Sequence, residues 1–218
     1  MSIWTWFVAN LDEVLSLTIT HVRLSVIPLV IGLLIALPLG WLARRHPVVY
    51  GPLVAGAGLL YTIPSLALFI LMPLVLGTPI LSDLNVIVAL TLYTIALLVR
   101  TVADGLGAVP AEVTASATAM GIGRVRRFFT VELPLAVPVI SAGLRVAAVS
   151  NVSIVSVAAL IGISQLGSLF TDGFARTYLD PIVVGILACV LLAAVLDAVI
   201  LGLTWLVTPW LRARRAAA

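Results

Sequence analysis

Charge-free apolar runs, each closed by arginines or by turn residues, recur along this chain at lengths that fit a bilayer. Leu24 to Ala43 carries no charge and stops at Arg44, Arg45 and His46, which predicts a first membrane-spanning helix over about 24–43. Pro47 to Ser82 is also free of charge and predicts a second span over about 50–77. That run is too long for one upright helix, and Pro64 and Pro73 each remove a backbone donor. The second span is therefore expected to be tilted or broken, with the hydroxyl of Thr62 or Ser65 satisfying the freed carbonyls. Further spans are expected at about 84–100, 135–161 and 181–211. Ahead of them, the apolar residues Phe7, Val8, Leu11, Val14 and Leu15 follow Trp4 at helical spacing and predict a short amphipathic helix lying at the interface. The pattern defines an all-α membrane protein with five transmembrane helices. No polar linker or fixed-period repeat divides residues 1–218, so a single domain is expected.

Composition removes the soluble alternative. The 218 residues are 62% hydrophobic and 10% charged, with a mean hydropathy of +1.26, far from an ordinary globular domain. The net charge of +3 does not describe a nucleic-acid surface, because the basic residues are all arginines set at the ends of apolar runs. With the N-terminus outside, Arg44, Arg45, Arg100, Arg124, Arg126, Arg127, Arg212, Arg214 and Arg215 fall on the cytoplasmic side. Only Arg23 and Arg176 then lie outside, beside Asp12, Glu13, Asp83, Asp172 and Asp180. Positive charge is retained in the cytoplasm, so this orientation is expected, with the C-terminus inside. Trp205 and Trp210 suit an interfacial belt at that end. The first charges are acidic, unlike those of a secretory leader, and Met1 is expected to be retained. The single Cys189 can form no internal disulfide and is expected to fill a small core position.

The substantial cytoplasmic loop, about 101–132, reads as an ordered element. Pro110 can start a helix, Glu112 suits its positive end, and Gly121 and Gly123 can stop it. Ala111, Ala115 and Ala119 recur at four-residue spacing and form a low-profile face for close docking. This loop resembles the EAA loop of bacterial ABC-importer permeases, whose pattern is E-A-A, three residues, G, nine residues, I, one residue, L-P. Ala117, Gly121, Val131, Leu133 and Pro134 match at the family spacing, while Ala115 stands for the glutamate and Ser116 for the first alanine. Glu112, one turn upstream, is the candidate substitute for the motif glutamate. The resemblance implies the five-helix permease core of a type I ABC importer, with an ATPase docking on this loop and a second permease subunit, either another copy or a paralogue.

A second resemblance, over most of the chain, is to permeases for glycine betaine, choline, carnitine and related osmoprotectants. It is carried by Y-T-I-P-S-L-A-L-F from Tyr61, L-Y-T-I-A-L-L-V-R-T from Leu92 and V-E-L-P-L-A-V-P-V-I-S-A-G-L-R-V-A from Val131. It implies a separate extracytoplasmic solute-binding protein that cages the quaternary amine among aromatic rings. Because the chain contains no lysine, it cannot hold a phosphate-cradling Walker A motif. ATP is therefore expected on a partner chain, and neither a cofactor nor a metal on this one.

Two ionisable residues sit inside expected spans, Arg145 in the fourth and Asp197 in the fifth. Unpaired charge in hydrocarbon is costly, so they are expected to pair, either tying two helices together or serving the solute path. Thr62, Pro64, Ser65 and Asn151 are the other path candidates, a broken helix being able to offer backbone groups to a polar solute. An amino-acid permease, an intramembrane enzyme and a self-contained carrier are the competing readings. An enzyme would need a nucleophile with a base, paired acids or metal ligands within the membrane. His21 and His46, near opposite faces of the first span, supply no such set.

Overall fold

The computed structural model describes residues 3–210, and among them every regular element is helical. Arg212, Arg214, Arg215, Met1 and the end of the fifth expected span at residue 211 lie outside the described residues. The amphipathic N-terminal segment is split between two helices, α1 (Ile3–Ala9) and the first turns of α2 (Leu11–Arg45). Asn10 makes the joint, its side-chain amide donating to the Trp6 carbonyl at 2.8 Å. The first span is thus part of a longer rod than the expected 24–43. At 1.5 Å per residue α2 is about 52 Å long, against about 30 Å of hydrocarbon. Its extra N-terminal turns are used in packing, because Val14 and Leu17 join Trp6 and Phe7 against Leu166, Leu169, Val184 and Leu192.

The second expected span is broken into α3 (Pro47–Thr62) and α4 (Ser65–Leu76), bent by 102°. Pro64 is the cause. Its ring excludes Ile63 from helical geometry, and both residues are extended, at ψ 130° and 132°. Pro73 stays inside α4 without ending it. Thr62 donates its hydroxyl to the Leu59 carbonyl at 2.7 Å, as expected of one of the two hydroxyls near the break.

The third expected span is the first part of α5 (Asp83–Gly107), capped by Ser82, so the expected loop from 101 begins while the helix is still running. The turn region proper holds α6 (Ala111–Ala119) and the four-residue α7 (Arg124–Arg127). A π-helical turn, Phe128–Glu132, joins α7 without a break to α8 (Leu133–Val157), and a 3₁₀ turn continues it to Ile161. The fourth expected span, 135–161, is therefore the far part of one 38-residue run, Arg124–Ile161. Then come α9 (Ser168–Ala175) and α10 (Leu179–Val207). Among the described residues, four helical runs are long and apolar enough to cross a membrane, and the bent α3–α4 pair makes five if it counts as one.

α5 is the centre of the bundle, with Val86, Ala89, Leu90, Leu98, Val99 and Val102 nearly inaccessible. Lipid tails are as apolar as these side chains, so close packing rather than the hydrophobic effect holds the helices together. Glycines make the approach possible. A Cβ on Gly32 of α2 would fall 2.4 Å from Thr94 Cγ2 of α5, and one on Gly143 of α8 would fall 2.4 Å from Thr101 Cγ2. α10 lies outside them, with Leu187, Val190, Leu191 and Leu203 exposed as a lipid-facing helix requires.

Candidate functional site: the α6 hairpin and the polar core

The α6 hairpin is shaped by its two ends. Pro110 occupies the N-cap, and Glu112 lies exposed in the first turn. Gly121 has φ +77°, with its N–H on the Thr118 carbonyl at 2.9 Å and the Ile122 N–H on the Ala117 carbonyl at 3.1 Å. This pair of bonds is a Schellman stop, which places its left-handed residue where glycine has no Cβ penalty. Ala117 is 2% exposed and faces the bundle. Glu112, Ala115, Ser116 and Ala119 face away from it, on an open surface.

Beyond the stop, the hairpin is tied to the bundle by Arg127. Its guanidinium donates to Glu132 in the π turn at 2.6 Å and to the Thr118 hydroxyl of α6. Phe128 is buried, with its ring 5.6 Å from Trp41 of α2. Val131 lies half-buried within this turn, and Leu133 and Pro134 follow it at the start of α8, Leu133 packing into the core and Pro134 removing one N–H from the continuous run directly after the π turn. All the loop positions singled out in the sequence thus belong to one continuous piece that ends in α8.

α8 carries two of the expected polar residues. Arg145 reaches Asp197 of α10 through two bonds, Nε to Oδ1 at 2.6 Å and Nη2 to Oδ2 at 2.8 Å, a bidentate pair. The pair remains partly uncovered, the side chains being 38% and 31% exposed. Asn151 is buried where α2, α5 and α8 meet, and its amide donates to Thr94 Oγ1 at 3.1 Å and to the Ser25 carbonyl at 3.3 Å. Its geometry is that of a polar tie between helices. Thr62, Pro64 and Ser65 are elsewhere, at the α3–α4 bend, where the Tyr93 hydroxyl donates to the Ile63 carbonyl and Tyr61 packs edge-on to Tyr93 at 5.6 Å. No hydrogen bond joins that bend to Arg145 or Asn151 among the described residues. Arg100 and Asp104 pair at 3.5 Å on α5, and the Tyr50 hydroxyl of α3 adds a bond to Asp104 at 3.0 Å.

Sequence reasoning missed one buried hub. His21 is fully buried, with Nε2 3.0 Å from the Val152 carbonyl and Nδ1 3.0 Å from Gln165 Oε1, joining α2 to α8 and to the loop before α9. Gln165 is held in turn by the Gly167 N–H and the Ser156 carbonyl. A glutamine in a loop gives no periodic signal, so only the fold reveals the pairing.

Comparison with known proteins agrees with this architecture. Residues 29–213 match the family described as binding-protein-dependent transport system inner membrane components. The chain is 35% identical to the osmoprotectant import permease protein OsmW of Salmonella typhimurium, over 92% of this chain and 94% of that protein. It is 30% identical to the choline transport system permease protein OpuBB of Bacillus subtilis, over 88% and 87%. Among solved structures, an inward-facing form of the MetNI methionine ABC transporter superimposes with a TM-score of 0.83 at 18% identity, covering 92% of this chain and 98% of that one. The chain belongs to the family of binding-protein-dependent transport system inner membrane components. It is a multi-pass membrane permease of the type I ABC importer fold, a transporter subunit rather than an enzyme.

Proposed function

We propose that this subunit forms the membrane path of an importer for a quaternary ammonium osmoprotectant such as glycine betaine, choline or carnitine. The solute class is supported by the relatives at 30% identity or more, whose names specify osmoprotectants and choline. The likeness to a methionine transporter is one of fold and does not favour an amino acid. The observation that carries the mechanism is the unbroken run from α7 through the π turn into α8. A push on the α6 hairpin is delivered, through Arg127 and Phe128, to the helix that holds Arg145 and Asn151.

Two ATPase subunits close on ATP beneath a pair of permeases, and α6 offers them Ala115, Ser116 and Ala119, with exposed Glu112 in place of the missing motif glutamate. Closure rocks α8 and switches the path from inward- to outward-facing. ATP is used on the partner chain, and this chain holds no cofactor. A solute-binding protein delivers the solute from outside, where the N-terminus lies. The partly uncovered Arg145–Asp197 pair faces the path or the second permease, since hydrocarbon would not tolerate it. Thr62, Pro64 and Ser65 line the bend that exposes backbone groups to the path. Radiolabelled betaine, choline and carnitine uptake in cells lacking the chain and other osmolyte importers tests the solute class. Uptake should fall to background and return with the intact chain, and unchanged entry of all three would refute the assignment.

A further inference from the structure

One charged cavity adjoins the coupling path and shares Arg127 and Glu132 with it. It measures about 410 Å³ and lies where the end of α2 meets the end of α5, α6 and α7, lined by Trp41, Arg44, Arg45, Leu106, Val109, Ala111, Thr114, Arg124, Arg127 and Glu132. Of its four arginines, Arg127 alone has a carboxylate partner among the described residues, Glu132. Arg44 lies across Gly107, which has no side chain to push its Nε away, and Arg45 lies over the Trp41 ring at 5.4 Å. Arg44, Arg45 and Arg124 thus line one cavity without an ion-pair partner within 4.0 Å among the described residues, Glu132 being taken by Arg127 and Asp104 by Arg100 and Tyr50.

We propose that this cavity binds the phosphate of an anionic phospholipid, whose head group then bridges the spanning bundle and the α6 hairpin. Three features favour a lipid over the carboxylates of a docking protein. Arg45 is the last residue of a membrane-spanning helix, and Trp41 one turn before it supplies the aromatic ring favoured at the membrane interface. Leu106, Val109 and Trp41 give the cavity an apolar wall next to its charges, as a glycerol backbone and upper acyl chain require. The cavity also meets α6 only at its N-terminal end, against Ala111 and Thr114, whereas the exposed Glu112, Ala115 and Ala119 do not line it. A protein docked on those exposed residues would leave the cavity to the membrane. Basic pockets between membrane helices hold anionic head groups by the same chemistry. Occupancy would clamp Arg124 of the hairpin to Arg44 and Arg45 of α2, so the lipid sets how tightly the hairpin follows the bundle.

The test is to titrate the purified subunit in neutral detergent with phosphatidylglycerol, phosphatidylcholine or inorganic phosphate, counting bound molecules by native mass spectrometry. One phosphatidylglycerol should be retained in preference to phosphatidylcholine. Arg124→Gln should weaken it about fivefold, and the Arg44→Gln/Arg45→Gln/Arg124→Gln variant roughly a hundredfold. Because Arg44 and Arg45 also guide insertion, Arg124→Gln alone keeps the test valid if the triple variant fails to accumulate. Arg126→Gln removes the same charge outside the cavity and should change nothing. Equal retention by wild type and Arg124→Gln would overturn the proposal, as would an Arg126→Gln effect as large as that of Arg124→Gln. Inorganic phosphate binding as tightly as the lipid would assign the cavity to a free anion instead. Loss of a copurifying ATPase from Arg124→Gln with lipid retention unchanged would assign it to a protein carboxylate.

Discussion

At the scale of single residues, the Arg145–Asp197 pair is the most demanding feature of the bundle, a bidentate ion pair well inside two apolar helices. Removing one partner leaves an unpaired charge, so Arg145→Gln and Asp197→Asn should each lower the melting temperature of the purified subunit more than the double variant does. Additive losses would mean that the two charges do not depend on each other. If the double variant is stable yet transports nothing, the pair serves the path as well as the bundle. Gly32 offers a packing test. Gly32→Ala forces its new Cβ into Thr94 and should destabilise by about 1–3 kcal/mol, whereas Gly58→Ala, with open space around it, should not. Equal melting temperatures for the two variants would show that the α2–α5 approach can relax. Arg145 and Asp197 were legible as a pair because charge inside an apolar run demands a partner. His21 with Gln165 was not, since nothing in the sequence ties a residue of the first span to a loop residue far along the chain.

Among the elements, the α6 hairpin decides whether the loop motif has mechanical meaning. Gly121→Leu puts a branched side chain at φ +77°, which costs on the order of 1–2 kcal/mol locally, but nothing lies within 4 Å of the new Cβ. The fold should therefore survive, and the subunit should reach the membrane in normal amounts. Uptake in reconstituted vesicles should be lost, with ATP use uncoupled from it, while Leu203→Ala on the exposed side of α10 leaves both intact. Wild-type uptake and ATPase retention by Gly121→Leu would remove the hairpin from the coupling path. The helix, its glycine stop and the Leu-Pro opening of α8 could all be read from spacing. The π turn that fuses the loop to α8 could not, because Phe128 to Glu132 has no composition that distinguishes it from an α-helix. The 102° bend was foreseen only as a break, since proline marks where a helix stops and tertiary packing sets where the chain goes next.

For the whole molecule, the arginines divide the bundle into two ends. Arg23 pairs with Asp83 at one end, and Arg44, Arg45, Arg124 and Arg127 gather at the other. In a Cys189→Ala background, a cysteine at Asp172 should react with an impermeant thiol reagent in intact cells and one at Ser116 should not. The reverse labelling would invert the orientation and take α6 away from any cytoplasmic ATPase. The same expectation for Ala217 concerns a residue outside those described. The spans were legible because apolar length is a direct consequence of bilayer thickness. Their true ends were not, because helices such as α2 and α5 run on past the hydrocarbon wherever packing or ion pairs continue to support them. The central claim is that this chain is the permease of an ATP-driven osmoprotectant importer, and reconstitution tests it most directly. The subunit should copurify with a separate ATPase after mild solubilisation. In vesicles containing both and the binding protein, radiolabelled quaternary ammonium solute should accumulate only when ATP is present on the ATPase side. Accumulation that proceeds equally without ATP, by the subunit alone, would contradict the account.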